Sequence, residues 1–158
     1  MILKLKLIGF ILLMFSLNAL AANDIQTVKD LRELKQQVET SNLPVLLLFS
    51  AEDCGYCDAV RDNYLVPMIK TGEYSSTILF RQLYIDDYHY LRNEKGEIIS
   101  AETMALKYDI EVTPSILFIN AQGNELSERI IGINSVDYFD ELLSTHISQA
   151  NRAMAETK

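Results

Sequence analysis

The feature that most restricts the possible folds of this chain is an unbroken apolar segment with two cysteines shortly after it. The segment is "VLLLFS", residues 45–50, and "AEDCGYC", residues 51–57, comes directly after it. An apolar run without polar alternation is typical of a central strand that is covered on both faces. Cys54 and Cys57 are the only cysteines of the chain. They form a disulfide staple, a pair of metal ligands or a redox pair, and the remaining sequence must distinguish these possibilities.

The apolar pattern elsewhere predicts alternating helices and strands. Val28, Leu31, Leu34 and Val38 recur at helical spacing and predict an amphipathic helix over about residues 24–40. After residues 45–50 the sequence predicts a helix from the cysteines to about Ile69, which Pro67 ends or kinks, and then a strand at 77–86. A loop at 87–100, with a small hairpin at "NEKGE", precedes a short helix at 101–109 and strands at 114–120 and 125–132. The last predicted helix, at 136–148, starts at Val136 and is capped by Asn134 or Ser135. This order predicts an α/β fold in which helices flank a central mixed β-sheet.

The first residues have the layout of a secretory signal peptide. Lys4 and Lys6 precede an apolar run at residues 7–17, and Ala19-Leu20-Ala21 fits a cleavage site. The alternative is a retained membrane anchor, for which this run is short, because a helical span needs about 20 residues. We therefore expect a cleaved signal peptide at residues 1–21, one domain at 22–150 and a frayed tail at 151–158. The expected location is the periplasm or the secreted fraction.

The acidic net charge excludes two classes of expected binding partner. The chain has 14 basic and 22 acidic residues and a formal net charge of −8. Removal of Lys4 and Lys6 with the signal peptide makes it more acidic still. Nucleic acids and anionic membrane surfaces attract basic proteins, so both are excluded as expected partners.

The spacing of Cys54 and Cys57 favours chemistry over a structural role. A disulfide across two residues closes a very small loop, and disulfide stabilisation grows with loop length. A zinc site needs two further converging ligands, and neither His89 nor His146 lies at ligand spacing from the cysteines. Asp58 stands where covalent haem attachment needs a histidine. We expect no metal and no cofactor other than the redox-active disulfide Cys54–Cys57.

A CxxC pair at a strand-to-helix junction is typical of thioredoxin-type redox motifs. The segment "LFSAEDCGYC", the Val-Thr-Pro that opens a later strand, and residues 105–143 as a whole resemble the thioredoxin fold family. The resemblance covers nearly all of residues 24–148. It implies a thioredoxin fold and a protein thiol:disulfide oxidoreductase. It also implies a cis-proline at Pro114 and a substrate-binding role for Thr113.

Several positions depart from thioredoxin itself. Leu48 replaces a buried Asp, Gln82 a basic residue, Asp53 a Trp and Asp62 a Pro. The chain is closer to secreted thioredoxin-like reductases, including those of sulfur-oxidation and cytochrome-maturation systems. That resemblance implies reduction as the direction, with a membrane thiol-transfer protein as electron donor.

The active-site dipeptide Gly55-Tyr56 is similar to that of the periplasmic disulfide isomerases. Those isomerases carry an additional dimerisation domain, for which this chain has no room, so we expect a monomer. A disulfide isomerase or oxidant is the second hypothesis. A third is a non-enzymatic binding or chaperone module with inert cysteines. Tyr56 either contacts substrate or is merely an exposed aromatic.

The residue types around the cysteines suggest a mechanism. Cys54, at a helix N-terminus, is the expected nucleophile, because helix N–H groups and the helix dipole favour its thiolate. Cys57, one turn later and more buried, is expected to resolve the mixed disulfide. Glu52 is a possible proton acceptor for Cys57. The alternative, which the sequence favours at least as much, is that Glu52 is only a solvated surface acid and that water accepts the proton. The charge of Asp53 opposes the thiolate of Cys54.

Overall fold

The computed structural model describes residues 24–86, 88–133 and 137–156. The predicted signal peptide at residues 1–21, Val136 and the predicted caps Asn134 and Ser135 lie outside the described residues. Within those ranges, none of the helices is long and apolar enough to cross a bilayer.

Seven strands and five α-helices make up the described chain. The strands are β1 (Gln26–Thr27), β2 (Val45–Ser50), β3 (Leu79–Tyr84), β4 (Tyr90–Arg92), β5 (Ile98–Ser100), β6 (Ser115–Ile119) and β7 (Ile130–Ile131). The helices are α1 (Leu31–Ser41), α2 (Gly55–Val60), α3 (Val66–Thr71), α4 (Glu102–Lys107) and α5 (Phe139–Glu156), with a π-helical segment at Arg61–Leu65 between α2 and α3.

The central sheet has five strands in the order β1-β3-β2-β6-β7. β2 lies parallel to β3 and antiparallel to β6, so the sheet is mixed, as the sequence predicted. β4 and β5 form a separate antiparallel pair. Because β2 and β3 are parallel, their carboxyl ends meet at one edge of the sheet, where Ser50 is opposite Tyr84.

β2 is the centre of the hydrophobic core, and all six of its residues are buried. Leu46 and Leu48 pack with Phe118 and with Phe139 of α5 on one face of the sheet. Leu47 and Phe49 pack on the other face, against the cluster that includes Leu34 and Val38 of α1. Full burial of one such side chain contributes roughly 1.5–3 kcal/mol. This two-sided burial explains why β2 shows no polar alternation in the sequence.

The helix that follows the cysteines contains a π-helical segment immediately before Pro67. In this segment the Val66 N–H bonds the carbonyl of Arg61, five residues earlier. Pro67 has no N–H with which to bond the carbonyl four residues before it. The helix nevertheless continues to Thr71, so the proline is accommodated by a local widening and does not end the helix.

Three predicted boundaries are wrong. The first helix begins at Leu31, because Asp30 caps it by accepting a hydrogen bond from Arg32 N–H at 2.8 Å, whereas Gln26–Thr27 pairs with β3. The predicted strand at 125–132 is reduced to β7 and an isolated bridge at Glu125. α5 continues to Glu156, where we expected a frayed tail, since Ala150 packs into the core.

Candidate active site

Cys54 and Cys57 form a disulfide at the junction between β2 and the helix that follows. Their Cα atoms are 5.2 Å apart. Cys54 is the N-cap residue of α2, and its sulfur accepts a hydrogen bond from Cys57 N–H at 3.2 Å. Cys57 is 1% exposed, whereas Cys54 is only half-buried. The outer sulfur is therefore the one that a second disulfide can approach.

The segment that leads into Cys54 has an unusual backbone. Asp53 has a φ of 56°, in the left-handed region. Asp and Asn are the non-glycine residues that tolerate this region best, because their short side chains bond the local backbone. The conformation turns the chain from the end of β2 into the cap of α2. Asp53 itself is exposed beside Cys54.

Thr113 and Pro114 lie directly against the outer cysteine. The peptide bond between them is cis. The Thr113 hydroxyl donates to the Cys54 sulfur at 3.6 Å, so residues 59 positions apart meet at this atom. Pro114 is buried, and its carbonyl accepts from Gly132 N–H at 2.8 Å. The contact places a neutral donor beside the sulfur at the start of β6.

The two residues between the cysteines face outward. Gly55 has open space where a side chain would be. Tyr56 is 73% exposed, and Val112, just before Thr113, is also exposed. Exposed apolar side chains therefore lie close in the chain to Cys54 and to Thr113, which contacts it.

The buried layer beneath the active site carries no charge at two of the four positions where the sequence departs from thioredoxin. Leu48 pairs with Gln82 across β2 and β3, and both side chains are buried. The Gln82 Nε2 atom has no hydrogen-bond partner among the described residues. A buried amide without a partner costs about 1–3 kcal/mol.

Glu52 is held by the connection between β3 and β4. Its N–H donates to the Asp86 carboxylate at 2.9 Å, and its own carboxylate lies 3.1 Å from His89 Nε2. A hydrogen bond from the Tyr88 hydroxyl to the Glu52 carboxylate raises the pKa of Tyr88 to about 12. The Glu52 side chain remains half exposed. We call Glu52, Tyr84, Asp86, Tyr88 and His89 the Glu52 cluster.

Glu52 was predicted from the sequence as a site residue, whereas Asp86 and His89 were not. A signal was present, because "YIDDYHY" follows β3 at the sheet edge where β2 also ends. Parallel neighbouring strands bring the residues after their carboxyl ends together. The Ile85 N–H donates to Ser50 O at 2.9 Å and extends that pairing beyond the strands.

Arg61 neutralises two other acids near the cysteines. Its guanidinium lies 2.8 Å from Asp58 and 2.8 Å from Asp62, and it donates to the Tyr84 hydroxyl at 3.3 Å. The hydrogen bond from Arg61 holds the pKa of Asp62 below its ordinary value. Two of the exposed acids of this surface are thus compensated, unlike the charge of Asp53.

The described residues contain no group of three or more His, Cys, Asp and Glu side chains placed to hold a metal ion. The chemistry that this site can perform with its own atoms is thiol–disulfide exchange at Cys54. That chemistry needs an accessible sulfur and a second sulfur within bonding distance, and both are present.

Comparison with known families and structures agrees with this geometry. The family described as a thioredoxin-like domain matches residues 31–147. The chain belongs to the thioredoxin-like domain family. Membership, together with the closely spaced Cys54–Cys57 pair, supports the activity of a thiol:disulfide oxidoreductase.

Solved thioredoxins share the fold. Poplar thioredoxin h is 16% identical, with a TM-score of 0.55 over 77% of this chain and 96% of that chain. Thioredoxin f from spinach chloroplast is 18% identical, with a TM-score of 0.56 over 82% and 88%. Plasmodium falciparum thioredoxin is 20% identical, with a TM-score of 0.53 over 79% and 98%. A comparison with curated proteins finds no match.

Proposed function

We propose that this thioredoxin-like protein reduces disulfides of proteins outside the cytoplasm, with Cys54 as nucleophile and Cys57 as resolving residue. The observation that carries the proposal is the asymmetry of the pair. Cys54 is half-buried at a helix N-terminus with a hydroxyl donor beside it, whereas Cys57 is almost fully buried. A nucleophile must be reached by substrate, and a resolving thiol must be protected from it.

The exchange proceeds in two balanced steps from the reduced protein. The Cys54 thiolate attacks one sulfur of a substrate disulfide, so a mixed disulfide forms and the other substrate sulfur leaves as a thiolate. The Cys57 thiolate then attacks Cys54 Sγ, which forms the Cys54–Cys57 disulfide and releases the second substrate sulfur. The substrate gains two electrons and, with solvent protons, becomes a dithiol, while the protein is oxidised.

The substrate segment in this proposal lies across Thr113 and Pro114. An extended peptide that pairs with the backbone near Thr113 would bring its disulfide against Cys54, which the Thr113 hydroxyl already contacts. The exposed side chains of Tyr56 and Val112 offer apolar contacts to such a peptide. Such backbone pairing suits many protein substrates, because it depends little on which side chains the substrate carries.

Local charge favours the reducing direction. Asp53 and Glu52 both lie within two residues of Cys54, and carboxylates disfavour a thiolate nearby. A disulfide oxidoreductase is a strong oxidant when its reduced form is stabilised, so a destabilised thiolate makes the pair more reducing. The Thr113 hydroxyl and the helix N-terminus act in the opposite direction and keep Cys54 reactive.

Two acceptors compete for the proton of Cys57 in this mechanism. Leu48 leaves no carboxylate at the buried position beneath the helix. Glu52 is half exposed, and its carboxylate is in contact with His89 and with the Tyr88 hydroxyl. A Glu52→Gln variant separates the two, since transfer to water leaves the resolving step unchanged. A slower resolving step assigns the acceptor role to Glu52.

The proposal extends to location and supply of electrons. The signal-peptide pattern at residues 1–21 supports export. An exported reductant needs an electron donor, for which we propose a membrane thiol-transfer protein that reduces Cys54–Cys57. We further propose that the protein acts as a monomer and needs no cofactor beyond its own disulfide.

The reduction potential of Cys54–Cys57, measured by equilibration with glutathione, tests the proposal. A value near that of thioredoxin, about −270 mV, supports a reductant that must be recharged. A value between about −180 and −120 mV favours an isomerase or oxidant instead. A pair that does not exchange with glutathione indicates a binding or chaperone module. A Cys54→Ser variant is the matched control.

A further inference from the structure

The Glu52 cluster fixes the segment before Cys54 at both its backbone and its side chain. The N–H of Glu52 is bound by Asp86, and the carboxylate is bound by His89 and Tyr88. All three partners belong to the connection after β3. Only Asp53 separates Glu52 from the nucleophile, so the position of Glu52 sets the start of the turn that presents Cys54.

His89 is itself held in a defined orientation. Its N–H donates to Asp86 O at 3.0 Å, and its carbonyl accepts from Ala101 N–H at 2.8 Å. Its ring stacks on Tyr84 of β3 with centroids 5.3 Å apart, and lies 4.8 Å from the ring of Tyr88. The backbone and ring contacts of His89 therefore hold its imidazole in place next to Glu52, so it is not a free surface side chain.

The titratable groups around His89 come from three parts of the chain. The segment after β2 contributes the Glu52 carboxylate at 3.1 Å, and the connection after β3 contributes the Asp86 carboxylate at 4.0 Å together with the Tyr88 hydroxyl. β3 contributes Tyr84, whose hydroxyl accepts from Arg61. Two carboxylates face one imidazole, so a proton on His89 compensates a negative charge that otherwise lies beside Cys54.

We propose that His89 is a positioning residue for the active site. His89 acts through Glu52, so the reactivity of Cys54 depends on the protonation of His89. The inference rests on the proposed function, in which Cys54 is the nucleophile. Imidazole is the side chain that changes charge between about pH 5 and 8. With the proton, His89 clamps Glu52 and offsets its charge, so the thiolate of Cys54 is favoured. Without it, the carboxylates oppose that thiolate.

The rate at which iodoacetamide alkylates Cys54 in the reduced protein tests the proposal, measured from pH 5.5 to 8.5. Only the thiolate reacts, and the buried Cys57 is shielded, so the rate reports the thiolate of Cys54. The variants are His89→Gln and His89→Phe, the second of which keeps a ring against Tyr84. His146→Gln is the matched control, because His146 is the other histidine of the chain and stacks on Phe118 of the core.

The expected rate ratio of wild type to either His89 variant is about three at pH 5.5 and about one at pH 8.5. His146→Gln should give a ratio that does not vary with pH. In a Glu52→Gln background, replacing His89 should change the rate little at any pH. This result would support action through Glu52.

A ratio of one at every pH for both His89 variants would overturn the proposal. An undiminished His89 effect in the Glu52→Gln background would also overturn it, since the charge would then act directly on Cys54. Circular dichroism confirms that each variant is folded before alkylation. The assay needs no disulfide substrate, so a failure of the proposed function in the glutathione experiment is distinguishable from a failure here.

Discussion

The two sides of Cys54 differ in chemistry. On one side, the Thr113 hydroxyl lies 3.6 Å from the sulfur at the edge of a buried strand, and no formal charge is involved. On the other side, Glu52 and Asp53 carry charge close to Cys54 in the chain, and Glu52 is held by the connection after β3. The neutral side offers direct contact to the sulfur, whereas the charged side is the one on which our proposal for His89 rests.

The largest effect should come from removing the atom on which both sides act. Cys54→Ser should lower disulfide reduction by at least about a thousandfold, because the attacking sulfur is lost. Cys57→Ser should retain the first step and accumulate a mixed disulfide with substrate, detectable by mass spectrometry. Substantial turnover by Cys54→Ser would place the activity elsewhere in the chain.

The neutral side is tested by Thr113→Val, with Thr113→Ser as the matched control. Loss of a hydroxyl that donates to a charged acceptor costs about 1.5–3 kcal/mol, so the rate of Cys54 alkylation at neutral pH should fall by about ten- to a hundredfold. Thr113→Ser keeps the hydroxyl and should remain close to wild type. Equal rates for both variants would mean that the hydroxyl does not stabilise the thiolate.

The charged side is tested by Asp53→Asn, which removes a charge and keeps a residue that tolerates a φ of 56°. The thiolate becomes more favourable, so the reduction potential should rise by about 10–30 mV. Asp58→Asn is the control, since Asp58 is paired with Arg61 and its removal should move the potential less. A larger shift for Asp58→Asn would reverse our ranking of the two acids.

The smallest effect concerns Tyr88. Its pKa is raised from 10.0 to about 12 by the hydrogen bond to Glu52, so its contribution to stability is complete below pH 10 and is lost as pH rises to about 12. Glu52→Gln should lower the pKa of Tyr88 towards 10. The difference in phenolate absorbance between each protein and its Tyr88→Phe derivative measures this. A pKa that stays near 12 in Glu52→Gln would exclude the Glu52 carboxylate as its cause.

Some elements of the fold were predictable from the sequence, and others were not. β2, with its six buried residues, and the helix that begins after Cys54 were predictable, because local periodicity reports burial directly. β1 was missed because Val28 fits a helical spacing, whereas its N–H in fact bonds Gln82 O at 2.8 Å. A hydrogen bond between residues so far apart leaves no local pattern.

The same reasoning applies to the active site. Cys54 and Cys57 were identifiable from spacing, and Thr113 from resemblance to a known motif. The contact between Glu52 and His89 joins residues 37 positions apart. The sequence indicates that the segments after β2 and β3 lie at one sheet edge, but the pairing of individual side chains there depends on the register of the two strands, which it does not specify. Asp53, which we treated only as a charge, also has a backbone role, which its φ of 56° shows.

The exposure of Tyr56 between the two cysteines has a practical optical consequence. The chain contains no tryptophan, so its intrinsic emission comes from tyrosine alone. Tyr56 is 73% exposed, and a larger ring there meets solvent instead of the core. A tryptophan at position 56 would be the single indole fluorophore of the protein, directly beside its disulfide. The redox state of the pair could then be followed in the intact protein by emission, without a label.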